Sequence, residues 1–154
     1  MNSRIVAWIA LALWVVTVAT FAWFFVRGNT AVSSDARSSI MLSHPERDLV
    51  LSEMRGLLTA TQGILEGINQ NNPQKIASAA RAAGMAAAAD VNPVLMAKLP
   101  LDFKQLGMSV HHDMDAIAQA AEAGKAPAEI SKMLGDTLPK CVACHASWQL
   151  KAKP

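Results

Sequence analysis

Ile5 to Val26 is a run of 22 residues without a charged side chain, with Trp8, Trp14 and Trp23 inside it. As a helix it covers roughly 33 Å, enough to cross the hydrocarbon core of a bilayer. A cleaved leader would carry a shorter apolar stretch and end on small residues. This run ends on Phe21-Ala22-Trp23-Phe24-Phe25-Val26. The reading is an uncleaved transmembrane anchor over residues 1–27, with a cleaved signal as the main alternative. Arg4 and Arg27 flank the run on either side, so local charge marks its orientation only weakly.

Residues 28–42, with Gly28, Asn29, Ser33, Ser34, Asp35, Ser38 and Ser39, read as a polar linker. As a flexible chain it would reach roughly 20 Å. Residues 43–154 read as one domain, long enough to bury a core. After residue 42 the chain has 11 Lys/Arg and 11 Asp/Glu. No basic stripe is present, so a nucleic-acid partner has no support. Alanine is abundant, Tyr is absent, and runs of Val, Ile and Thr are missing beyond the N-terminus, which favours helices over strands.

Four helices are expected in the domain. Ser43-His44-Pro45-Glu46 has a cap, a first-turn proline and the acid of a capping box. Leu51, Met54, Leu58, Thr61, Leu65 and Ile68 follow it at 3-4-3-4-3 spacing, the seam of a bundle helix that stops at Asn71-Asn72. A second, Ala-rich helix begins at Asn72-Pro73 and runs to about Asp90. Residues 92–100 form a loop anchored by Val94, Leu95 and Leu99. The third helix runs from Leu101 to Ala123, and Gly124 stops it. Phe103, Leu106, Val110, Met114, Ile117 and Ala121 lie within about 40° of one line on it. The fourth opens at Pro127-Ala128-Glu129 and runs to about Leu150; Pro139 should kink or restart it, with the smaller Gly135 easing the clash. Short connections make this an antiparallel, up-down-up-down four-helix bundle.

The chain has two cysteines, both in Cys141-Val142-Ala143-Cys144-His145. Two thiols at this spacing can add to the two vinyl groups of a haem, with the adjacent histidine as proximal iron ligand. A disulfide framework needs more cysteines. A thioredoxin-like pair would follow a strand. A structural zinc site needs further ligands, and the other histidines, His44, His111 and His112, supply no pair at zinc spacing. Ile130, Leu134, Leu138, Cys144, His145 and Trp148 fall within about 60° of Cys141 on a helix, which would insert the haem into the core along the apolar seam. Haem c, one and covalent, is therefore the expected cofactor. Its attachment takes place outside the cytoplasm, which sets the orientation: anchored in the bacterial inner membrane, domain in the periplasm.

A Cys-x-x-Cys-His near the C-terminus of four helices resembles the cytochrome c-prime and cytochrome c-556 family over residues 43–150. Ordinary class I cytochromes c place the motif near the N-terminus. The resemblance implies a first-helix residue on the distal side of the iron, a ligating Met in the c-556 type and usually a bulky non-ligand in the c-prime type. Pattern alignment puts Met54 there; Met on a helix seam is otherwise ordinary core. His111, flanking the third helix's apolar stripe, is the rival, with a propionate or local hydrogen-bonding role as its alternative. His112 should face solvent, Met108 should point outward and Met114 should be core. The resemblance also implies a possible homodimer through the first two helices. Two departures are Val50, where members often have a basic residue, and Trp148-Gln149, where many carry Tyr-Arg. The second weakens any carried-over gas binding.

The expected function is one-electron transfer to or from a membrane or periplasmic redox protein. The alternative is a five-coordinate haem module that binds NO or CO, for sequestration or sensing. No enzyme activity is expected: Asp113 and Asp115 beside His111 and His112 read as a solvated face, and no Ser/His/Asp set or phosphate loop is present.

Overall fold

The computed structural model describes residues 3–89 and 92–153. Asp90, the expected end of the second helix, lies outside the described residues, as do the terminal residues 1, 2 and 154 of the expected anchor and domain.

Helix α1, Ser3–Arg27, buries none of its residues, and its most apolar 18-residue window has a mean hydropathy of 2.3. It is long and apolar enough to cross a membrane. Its two threonine hydroxyls are satisfied internally: Thr17 and Thr20 Oγ1 donate to the Leu13 and Val16 carbonyls at 2.8 Å. Gly28 ends the helix at φ +65°, and its N–H donates to the Phe24 carbonyl at 2.9 Å. A Cβ at this position would meet the Lys98 carbonyl oxygen at 2.6 Å, so glycine is required on both counts.

Helix α2, His44–Asn69, starts as expected, with the Ser43 N–H donating to Glu46 Oε2 at 2.9 Å. Its buried positions, however, are Val50, Ala60, Ile64 and Gly67, while Leu58 and Leu65 of the expected seam are 70% and 45% exposed. The small residues explain the rotation. A Cβ on Gly63 would lie 2.8 Å from Ala79 Cβ, and one on Gly67 would lie 2.7 Å from Ile76. Helix α3, Pro73–Arg81, seats directly on that glycine face. Helix α3 is capped by Asn72 Oδ1, which accepts from the Lys75 N–H at 3.0 Å. It ends well before Asp90 and gives way to a 3-10 turn, Met85–Ala88. The Met85 N–H donates to Asp115 Oδ2 at 3.0 Å, and the same carboxylate fills the space over Gly84.

Residues 93–98 form a short helix, α4, inside the expected loop, capped by Asn92. Leu95 and Leu99 are buried as anticipated; Val94 is exposed. Helix α5, Leu101–Glu122, buries Phe103, Val110, Met114, Ile117 and Ala121, the predicted stripe apart from the half-buried Leu106. Gly124 at φ +72° follows its end. Helix α6, Pro127–Ser147, continues through Pro139 rather than restarting there.

Helix α2 packs on α3, α3 on α5, α5 on α6, and α6 returns to α2 more loosely. One core cluster, around Ile64, Ile76, Met114, Ile117, Ile130 and Leu134, fills the centre of this arrangement. A second, around Ile40, Leu42, Val50, Leu95, Leu99 and Phe103, lies at the end where α1 joins.

That second cluster corrects the expected tether. Within residues 28–42, Thr30–Val32 is strand β1 and Ser38–Leu42 is strand β2; Trp148–Ala152, expected to be helix up to Leu150, is strand β3. Strand β1 pairs antiparallel with β2, and β2 pairs parallel with β3, Ile40 lying opposite Leu150. The fold is therefore mostly helical with a small three-stranded sheet, not purely helical. Burial accounts for it: Ile40 and Leu42 are fully enclosed. Leaving two aliphatic side chains in water on a free linker would cost roughly 1.5–3 kcal/mol each.

Candidate functional site

Cys141, Cys144 and His145 occupy the last two turns of α6. The turn that holds them is tied down at its end, where the Trp148 N–H donates to the Cys144 carbonyl as the chain leaves the helix for β3. Both thiols are half-buried and free, and His145 is exposed. Trp148, expected on the helical seam, instead begins β3, where its ring meets Phe103 edge-on, with centroids 5.7 Å apart.

Burial pushes the Cys144 thiol up to about 11, with the neighbouring Cys141 adding to the effect, and raises Cys141 as well. The C-terminal end of a helix also disfavours a thiolate. A redox-active Cys-x-x-Cys requires the opposite, a thiol lowered by a helix N-terminus or a nearby cation. Among the described residues no group of three His, Cys, Asp or Glu side chains is gathered to hold a metal ion. Both thiols are therefore held in the protonated form at neutral pH, one turn apart and beside a histidine.

A cleft of about 180 Å³ opens beside them. Cys144, His145, Trp148, Gln149 and Leu150 form one wall; Leu51 and Met54 of α2, Phe103 of α5 and Arg37 of the β1–β2 turn complete it. The structure thus brings Met54 to the same cleft as Cys144 and His145, across a helix pair packed more loosely than α2–α3, α3–α5 or α5–α6. The lining is apolar and aromatic with a polar rim, as in sites for flat hydrophobic ligands. Its volume is below the roughly 300–1,000 Å³ of such sites, so a porphyrin would also lie against the flanking surface. Exposed apolar side chains remain on the same two helices: Leu58 and Leu65 on α2, Leu138 and the 69%-exposed Val142 on α6. Cys141 lies one helical turn before Cys144 and is not part of the lining.

His111 is not part of the lining. It is buried on α5, and its Nδ1 lies 2.8 Å from the Ala83 carbonyl oxygen. Spacing placed it on the flank of the stripe; what spacing could not show is that the turn after α3 presents a carbonyl to it. His112 is exposed, Met114 is core and Met108 is half-buried. Asp113 and Asp115 are more than a solvated face: Asp113 pairs with Lys140 of α6, and Asp115 holds the 3-10 turn.

Sequence reasoning missed Arg37. The guanidinium lines the cleft, donates from Nε and Nη2 to Asp35 Oδ2 at 2.8 and 2.6 Å, and reaches the His145 carbonyl through Nη1 at 3.3 Å. Gln149 Nε2 donates to Ser33 Oγ and, at 3.3 Å, to Asp35 Oδ1. The Arg37 guanidinium beside Asp35 holds its carboxyl down at about 2. No signal near Arg37 in the chain announces this, because the pairing that delivers it joins residues more than 100 apart.

No known protein-family model, curated protein or solved structure matches the chain.

Proposed function

We propose that this chain is a membrane-anchored, mono-haem c-type cytochrome that carries one electron at a time, its helices α2, α3, α5 and α6 forming an antiparallel four-helix bundle of the cytochrome c-prime and c-556 kind. The observation that carries the reading is the shared cleft: Met54 faces the space bordered by Cys144 and His145, with Cys141 one turn away. A c-type haem supplies reversible one-electron chemistry at its iron. The chain's residues do the rest. Cys141 and Cys144 would hold the group through thioethers, and His145 would ligate its iron. Met54 would offer its sulfur from the other helix, and a Met/His pair would raise the potential. Phe103, Trp148 and Leu150 exclude water. Helix α1 lies in the bacterial inner membrane with the domain in the periplasm, where it would exchange electrons with a membrane or periplasmic redox protein.

Two measurements test this. A reduced pyridine haemochrome spectrum of the mature protein should have the c-type form, and the mass should include one porphyrin; a mature protein without that mass defeats the reading. The ferrous protein should bind CO poorly, and Met54→Ala should bind it readily with a five-coordinate spectrum. A wild-type protein that takes up CO as fast as the variant would remove Met54 from the iron and favour the NO- or CO-binding alternative.

A further inference from the structure

Resting on the haem reading, the geometry points to Arg37 as the residue that holds a haem propionate, which would make the turn after the membrane helix part of the cofactor site. A haem brings two carboxylates into whatever cleft accepts it. The wall there consists of Leu51, Met54, Phe103, Cys144, Trp148 and Leu150, together with His145, Gln149 and Arg37. Arg37 is the only Lys or Arg of that lining, and an anionic group in an apolar cleft needs a partner. Counting donors shows that it has capacity. A guanidinium has five N–H groups. Two are directed at Asp35 Oδ2 and a third at the His145 carbonyl. Two remain, one on each terminal nitrogen, free to donate to a carboxylate. Asp35 therefore fixes the plane of the fork without using up its donors, and Gln149 in turn holds Asp35. The bond to the His145 carbonyl ties the Arg37 side chain to the backbone of the motif itself.

The test uses the full-length chain in detergent, made without haem-attachment machinery, titrated with haem and with haem dimethyl ester, whose propionates carry no charge. Wild type, Arg37→Gln and Arg37→Lys are compared, with helix content followed by circular dichroism. The expected result is that Arg37→Gln weakens haem binding about tenfold, the scale of one charge-assisted contact, leaves ester binding within about threefold, and that Arg37→Lys recovers part of the loss. Equal weakening of both porphyrins, or no weakening of either, overturns the role of Arg37 while leaving the haem reading intact. A wild-type chain that binds neither porphyrin, together with a mature protein lacking porphyrin mass, overturns both. If Arg37→Gln loses its helix content, the decision falls to Arg37→Lys, which should keep a preference for haem over its ester.

Discussion

Lys104 Nζ donates to the Phe25 carbonyl and to the Met96 carbonyl, each at 3.2 Å, and stands 3.8 Å from the centre of the Phe25 ring. Both carbonyls belong to the last turns of their helices, α1 and α4, where intrahelical donors have run out. One buried ammonium thus closes two helix ends and favours their negative dipole termini. Burial pulls its pKa down. Replacing Lys104 by Met keeps the apolar stem but leaves both carbonyls without a donor. The expected loss is about 1–3 kcal/mol, read as a lowered thermal midpoint of the detergent-solubilised chain. A midpoint shift within error would mean that water already satisfies those carbonyls. Neither Lys104 nor His111 could be assigned this way from spacing. Spacing put His111 on the flank of the α5 stripe, but its partner carbonyl lies 28 residues away, and Lys104 meets carbonyls 8 and 79 residues away. The Cys141, Cys144 and His145 motif is readable because it is local; the placement of Arg37 in the same cleft is not, for the opposite reason.

At the scale of elements, the helix starts were readable from a cap and proline for α2 at Ser43 and α3 at Asn72, and from the side-chain period for α5 at Leu101. Two errors have physical sources. The α2 seam was set by its large residues, whereas Gly63 and Gly67 let α3 approach so closely that the small face turned inward and left Leu58 and Leu65 outside. The sheet escaped notice because strands of three and five residues carry almost no period, and a parallel partner can be any distance away in the chain. One contact between elements has a consequence in acid. Glu46 at the start of α2 pairs with Lys98 at the end of α4. The Lys98 ammonium, helped by the Ser43 N–H, holds the Glu46 carboxyl near 2, against an ordinary value of 4.5. A depressed carboxylate stabilises the fold above its unfolded pKa, and that stabilisation is lost as pH falls toward the folded value. Glu46→Gln should therefore be less stable than wild type by about 0.5–1 kcal/mol at neutral pH, the range for a partly exposed pair. The gap should close as pH drops from 4.5 to 2. Thermal midpoints of both proteins across that range decide it; a gap that stays constant would assign the effect to something other than the ionised pair.

For the whole molecule, the sheet joins what the sequence separates. Strands β2 and β3 bring residues 38–42 against residues 148–152 and so close the domain with the segment that leaves the anchor. The junction is held from several sides: the Asn29 N–H donates to the Lys98 carbonyl at 2.7 Å, Asn29 Nδ2 to the Met41 carbonyl at 2.6 Å, and the Met41 N–H to the Asn29 carbonyl at 2.8 Å. A flexible 15-residue tether would let the domain search a volume above the bilayer. Here the segment is folded into the second core, the same cluster against which Met54, Cys144 and Trp148 pack. The candidate site and the exit of α1 share one end of the domain, so under the proposed function a redox partner would meet the site close to the membrane. The consequence for stability is direct. A chain beginning at Ser43 loses the burial of Ile40 and Leu42, about 3–6 kcal/mol together, and leaves β3 without its partner strand. That is of the order of the whole stability of a domain of this size. Circular dichroism melts should therefore show a cooperative transition for a chain beginning at Gly28 and a broad one, or none, for the chain beginning at Ser43. Two melts with the same midpoint would mean that the hairpin is only a spacer, and the fixed placement of the cleft beside the end of α1 would go with it.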